Sequence, residues 1–150
     1  DTDVEVLRDI SPLLDDEGFI GFENEQFVNS GQVMAAVPHQ PVVQAMIEEY
    51  KKMHFTNADG SLNAVGCPHL NTDVMERFGL VRNGQEQLVA GIHVYPADYF
   101  NPLDSVTGKL TKTENTYSIH WYSMSWLPKY KQIRAKVGRI WRRITKRVKS

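Results

Sequence analysis

The period of the apolar positions changes along this chain, and each change marks an element. Val4 and Val6 alternate around Glu5, the two-residue period of a short strand. "SPLLDD" (residues 11–16) reads as a helical turn, with Pro12 where a first-turn proline fits. "GFIGFEN" (18–24) reads as a buried strand, and "FVNSGQVMAAV" (27–37) as a strand or edge segment with small residues. "PHQPVVQAMIEEYKKM" then places Val42, Met46, Ile47 and Tyr50 at helical spacing and predicts an amphipathic helix.

Beyond that helix the turn-forming residues of 56–69 predict a loop. "NTDVMERFG" (71–79) predicts a second helix, capped by Asn71 or Thr72 and stopped by Gly79. "EQLVAGIHVYP" reads as one strand or two, "PADYFNPLDSVTGKLT" as a loop, and "TYSIHWYSMSW" as a strand running into an aromatic turn. Strands alternating with helices imply an α/β fold. There is no internal repeat.

Composition narrows the class. The chain has 150 residues, enough for one domain with a core. Its 41% hydrophobic and 23% charged fractions exclude a disordered chain. A single cysteine, Cys67, excludes an internal disulfide. The sequence holds no apolar run of the roughly 18 residues needed to cross a bilayer, nor a signal-peptide pattern.

Charge changes the picture further, because the formal net value of −1 hides a division. All 18 acidic residues precede Pro128 beside only seven Lys and Arg, 7 against 18 and hence −11. The other ten cations lie between Lys129 and Lys149 with no acid among them. Residues 1–128 are therefore read as the body and 129–150 as a basic tail with a separate job. In the tail Ile133, Val137, Ile140, Trp141, Ile144 and Val148 fall on one helical face, and the opposite face is cationic. Such a helix suits an anionic membrane surface, a seat on the acidic body, or nucleic acid.

Candidate chemistry sits near both ends. Asp1 and Asp3 are two apart, so on an extended segment their carboxylates share a face and can converge on one hard cation such as Mg²⁺ or Mn²⁺. Alone, that pattern is common in solvated turns. "SIHWYSMSW" (118–126) sets His120 at the end of an apolar strand, with Ser125 and Trp126 just after it.

Together the two ends resemble the DXD-containing sugar-binding region of glycosyltransferase family 32, and the nearest likeness is to bacterial capsular-polysaccharide transferases. The resemblance runs through "DTDVEVL", "GFIGFEN", "VNSGQVMAAVPHQPVVQAMIEEY", "VGCPHLNTDVM", "VYPADYFNPLD" and "TENTYSIHWYSMSWL". Trp121 departs from it, standing where a second histidine is frequent in the family.

The resemblance implies a GT-A-like fold and retaining transfer of a hexose from a nucleotide diphosphate sugar to a saccharide acceptor, which can be lipid-linked. It implies Asp1, Asp3 and His120 as ligands of Mn²⁺ or Mg²⁺, and Ser125 and Trp126 on the donor diphosphate. Glu23, Asn24 and Asn29 are its candidate sugar-pocket residues, and no catalytic group is assigned. UDP-galactose or a related UDP-hexose is the favoured donor, and GDP-mannose the alternative. It further implies that the nucleotide-binding half would precede Asp1, so that these residues alone would be inactive. The tail would then bind an anionic membrane surface on the cytoplasmic face, with no nucleic acid expected. The rival from another class is a non-catalytic membrane-surface module.

Overall fold

The computed structural model describes residues 2–63 and 65–123, with 130, 133 and 138 beyond them. Those residues form a mixed α/β fold. Its centre is a four-stranded sheet in the order β3-β2-β5-β4: β2 (Gly18–Gly21), β3 (Met34–Ala36), β4 (Gln87–Val89) and β5 (Ile92–Tyr95). β2 and β5 run parallel, with Phe19 opposite His93, and the two outer pairings are antiparallel.

All four residues of β2 are buried, as expected of a central strand covered on both faces. Its glycines allow close packing. A Cβ on Gly18 would stand 2.4 Å from the Ala35 carbonyl oxygen.

One sheet face is covered by helices α1 (Pro41–Lys51) and α2 (Cys67–Glu76). Ile20, Val94 and Ile92 pack there against Val42, Met46, Val74 and Met75. The alternation of β2 turns Phe19 to the other face, where it meets Leu13, Tyr95 and Phe100. Phe19 stacks on Phe100 at 5.6 Å between centroids.

The expected first helix is present, and its cap is Gln40. The Gln40 side-chain oxygen accepts the Val42 N–H at 2.6 Å and the Val43 N–H at 3.3 Å. The second is capped at Gly66, five residues before Asn71 and six before Thr72, because Gly66 is extended and Pro68 fits the first turn. Asn71 and Thr72 are thus buried inside the helix. Thr72 Oγ1 donates back to the Pro68 carbonyl and accepts the Val28 N–H, while Asn71 Nδ2 donates to Ser30. The predicted loop after Tyr95 contains one helical turn, α3 (Ala97–Phe100). Residues 11–13 form a 3₁₀ turn.

A second, two-stranded sheet pairs β1 (Val4–Val6) with β6 (Ser118–His120), antiparallel, with Val4 opposite His120. It joins the early and late segments that carry the candidate chemistry.

Candidate functional site

The β1–β6 register decides the geometry. Val4 faces His120, so the residue before Val4 and the residue after His120 are bound to each other: the Trp121 N–H donates to the Asp3 carbonyl at 2.9 Å. Asp3 Oδ1 then stands 3.4 Å from His120 Nε2. Asp3 Oδ2 accepts the Ser123 N–H at 2.7 Å. Beside them Trp121 Nε1 donates to Glu5 Oε2 at 2.9 Å.

Electrostatics prepare both groups. Burial acts to raise the Asp3 carboxyl, but the Ser123 N–H and the neighbouring His120 outweigh it and hold it below its usual value. Burial lowers His120, against the opposing pull of Asp3 and Glu23. A carboxylate thus lies beside an imidazole biased to its neutral, lone-pair form, the form that ligates a cation.

The two groups stand close enough that they could hold one metal ion between them. Adjacent ligands of an octahedral ion at about 2.1 Å stand about 3.0 Å apart, so a small shift lets both groups share an ion. Among the described residues no group of three or more His, Cys, Asp and Glu could hold a metal. Asp1, the third residue expected there, lies outside the described residues, as do Ser125 and Trp126. The tail of 129–150 also lies outside them, apart from Tyr130, Ile133 and Gly138.

A buried polar network backs the pair. Tyr122 has a left-handed backbone (φ 49°) and lays its ring 4.1 Å from that of His120. Its phenolic oxygen accepts the Asn101 Nδ2–H at 2.7 Å. Burial and the Glu23 carboxylate raise the Tyr122 pKa well above the ordinary phenol value, so the group stays neutral. Asn101 also donates to the Glu23 carbonyl at 2.8 Å, and Glu23 Oε2 accepts Asn29 Nδ2 at 2.9 Å. Asn29 Oδ1 in turn accepts the Gly31 N–H and the Cys67 thiol, the latter at 3.2 Å. Burial raises the Cys67 pKa, so this thiol is poorly suited to act as a nucleophile.

Of the three residues expected at a sugar pocket, Glu23 and Asn24 line a cleft of about 440 Å³. Asn29 stands behind Glu23, buried, and positions it. Asn24 turns its Oδ1 to the N–H groups of Gln26 and Phe27, which fixes the loop. The opposite wall comes from residues 97–113, including Asp98, Asn101, Asp104 and Lys109. Sequence reasoning passed over these and Tyr122. The Asn-Pro step at 101–102 signals only a turn, and nothing local announces the left-handed tyrosine.

The remaining histidines sit apart from the site. His93 bridges Asp16 (2.9 Å) and Glu86 (2.8 Å) and stacks on Tyr95, and His69 packs edge-on to Phe27.

Compared with family models, with curated proteins and with solved structures, the chain finds no match. No helix among the described residues is long and apolar enough to cross a membrane.

Proposed function

We propose that this protein is a retaining glycosyltransferase of GT-A-like fold. It moves a hexose from a nucleotide diphosphate sugar, UDP-hexose first and GDP-mannose second, to a saccharide acceptor of a surface or capsular polysaccharide. The observation that carries this reading is the 3.4 Å approach of Asp3 and His120, from segments far apart in sequence. A cation-binding pair of this kind is what the sequence resemblance requires, and the mixed α/β sheet is compatible with the fold.

A divalent cation, when bound, supplies a Lewis acid for the negative charge that grows on the departing diphosphate. Asp3 and His120 would hold it, with Asp1 as the third ligand. The Ser123 N–H fixes one carboxylate oxygen of Asp3, leaving the other directed at His120. Tyr122 covers the His120 ring and limits water on that side. Ser125 and Trp126 would donate to the diphosphate, an indole N–H being a donor only. The basic tail would hold the enzyme at the inner face of an anionic membrane, close to a lipid-linked acceptor.

The test uses the full-length protein that the reading frame encodes, Asp3→Ala and His120→Ala variants, and Mn²⁺-dependent hydrolysis of UDP-galactose and GDP-mannose. Loss of hydrolysis in both variants, with vesicle binding intact, is expected. Absence of donor hydrolysis in the unsubstituted protein sinks the enzyme reading. If vesicle binding then falls only when Arg142 and Arg143 are neutralised, the membrane-surface module takes its place.

A further inference from the structure

Eight asparagines occur in the chain, and only Asn83 is followed by glycine. The following residue matters because its backbone nitrogen can close a small ring onto the asparagine side-chain carbon. Glycine, with no Cβ, hinders that approach least. Asn101 precedes Pro102, whose nitrogen carries no proton to give up. Asn29 and Asn71 are buried among hydrogen-bond partners.

Asn83 stands in the loop ahead of β4, exposed to water. Its Oδ1 accepts the Gln85 N–H at 2.9 Å, which folds the side chain forward over the intervening Gly84 peptide. Gly84 takes a left-handed backbone (φ 66°), and its own N–H has no partner among the described residues. A second donor, Gln87 Nε2, reaches Asn83 Oδ1 at 3.2 Å. Two donors thus point at the oxygen that becomes negative when a nucleophile adds to Cγ. Electrophile, nucleophile and charge stabilisation lie within one loop.

Asp59 and Gly60 supply the contrast. Asp59 Oδ1 accepts the Ser61 N–H at 2.9 Å in the same kind of turn. There the Ser61 hydroxyl and N–H hold the carboxyl below its usual value, so near neutral pH it is an anion and repels an anionic nucleophile. An amide carries no such charge.

We propose that Asn83–Gly84 is a self-modification site, at which the folded protein converts an amide into a carboxylate without any enzyme. Hydroxide takes the Gly84 N–H proton, and that nitrogen bonds to Asn83 Cγ. The Cγ–Nδ2 bond breaks, and the amide nitrogen leaves as ammonia with a proton from water. Water then opens the cyclic imide at either carbonyl, giving aspartate or its β-linked isomer. One water is consumed for each ammonia released, and nothing is oxidised or reduced. The chemistry needs neither metal nor sugar donor and holds whatever group the protein transfers.

Its consequence reaches the sheet. Gln87, the first residue of edge strand β4, fastens this loop: its Oε1 accepts the Val81 N–H at 2.9 Å, and its Nε2 donates to the Val81 carbonyl at 3.0 Å. The β-linked product lengthens the main chain by one methylene between Val81 and Gln87, so the clamp on the β4 edge loosens.

The test incubates the intact chain at mildly acidic and mildly alkaline pH, native and in urea. Mass spectrometry of its peptides, with electron-transfer fragmentation, separates the two products. In the native chain Asn83 should convert at least about tenfold faster than the exposed Asn24, Asn57 or Asn115, and faster again in alkali. Asp59 should keep its normal linkage. Asn83→Gln, whose side-chain carbon lies one bond further from the Gly84 nitrogen, should abolish conversion at this position. The Val81 amide should exchange with deuterium faster in the converted protein than in the fresh one. Equal rates at the four asparagines overturn the proposal, as does conversion seen only in urea or a rate that does not rise with pH. A Val81 amide unmoved by conversion overturns the loosening of the edge.

Discussion

His120 Nε2 lies 3.4 Å from Asp3 Oδ1 because His120 pairs with Val4, the residue next to Asp3, in the β1–β6 ribbon. Strand register, rather than a local motif, creates the site. Asp3→Asn separates its two duties. An amide oxygen can still accept the Ser123 N–H, but the charge facing His120 is gone. Mn²⁺ affinity by calorimetry should drop at least tenfold, while unfolding free energy falls by only about 1 kcal/mol. Unchanged Mn²⁺ affinity would remove Asp3 from the cation site.

Tyr122→Phe deletes the oxygen that accepts Asn101 Nδ2–H. Asn101 is buried, so one donor loses its partner, at a cost of about 1–3 kcal/mol. Urea unfolding should show that loss. A loss near zero would mean that water reaches the amide and that the network is not sealed.

Gly18→Ala inserts a methyl group 2.4 Å from the Ala35 carbonyl oxygen and 2.8 Å from Ala36 Cα, both backbone atoms. Neither can rotate away, so β2 and β3 must separate. Destabilisation of about 1–3 kcal/mol is expected by denaturant titration. A neutral result would show that the edge strand yields freely.

Tyr95 sets an alkaline limit. Burial, with Glu86 and Asp16 nearby, raises its pKa from 10.0 to about 12. Above pH 10 the unfolded phenol loses its proton while the folded one retains it, so the unfolded state binds fewer protons and stability falls. The contribution is complete below about pH 10 and is lost as pH rises through about 12. Denaturation midpoints across that range should fall less steeply in Tyr95→Phe. Identical slopes would assign the alkaline loss to other groups.

What the sequence conveyed depended on the range of the interaction. The stripe of Val42, Met46, Ile47 and Tyr50 revealed α1, because helix periodicity is local; Val42 and Met46 are buried, while Ile47 and Tyr50 at its edge are exposed. The start of α2 was misplaced for an equally local reason. Asn71 and Thr72 are good caps in isolation, but their partners, Ser30 and Val28, come from a distant loop. Glu23 and Asn24 were reached only through the family resemblance, and the cleft wall contributed by 97–113 could not be read from either segment alone. Asp3 and His120 gained meaning only as a pair.

The ribbon that makes this pair stands outside the four-stranded sheet. A two-stranded unit has little stability of its own, and its closure must bridge nearly all of the described chain. Its assembly therefore follows that of the body around Phe19 and Val94, and its opening need not wait for that body to melt. The Trp121 amide, bonded to the Asp3 carbonyl at 2.9 Å, should exchange with deuterium through brief unzipping of β1 from β6. The Val94 amide, in the buried sheet, should wait for global unfolding. Competence for cation binding would then come and go on a native protein, as a population with its own equilibrium constant.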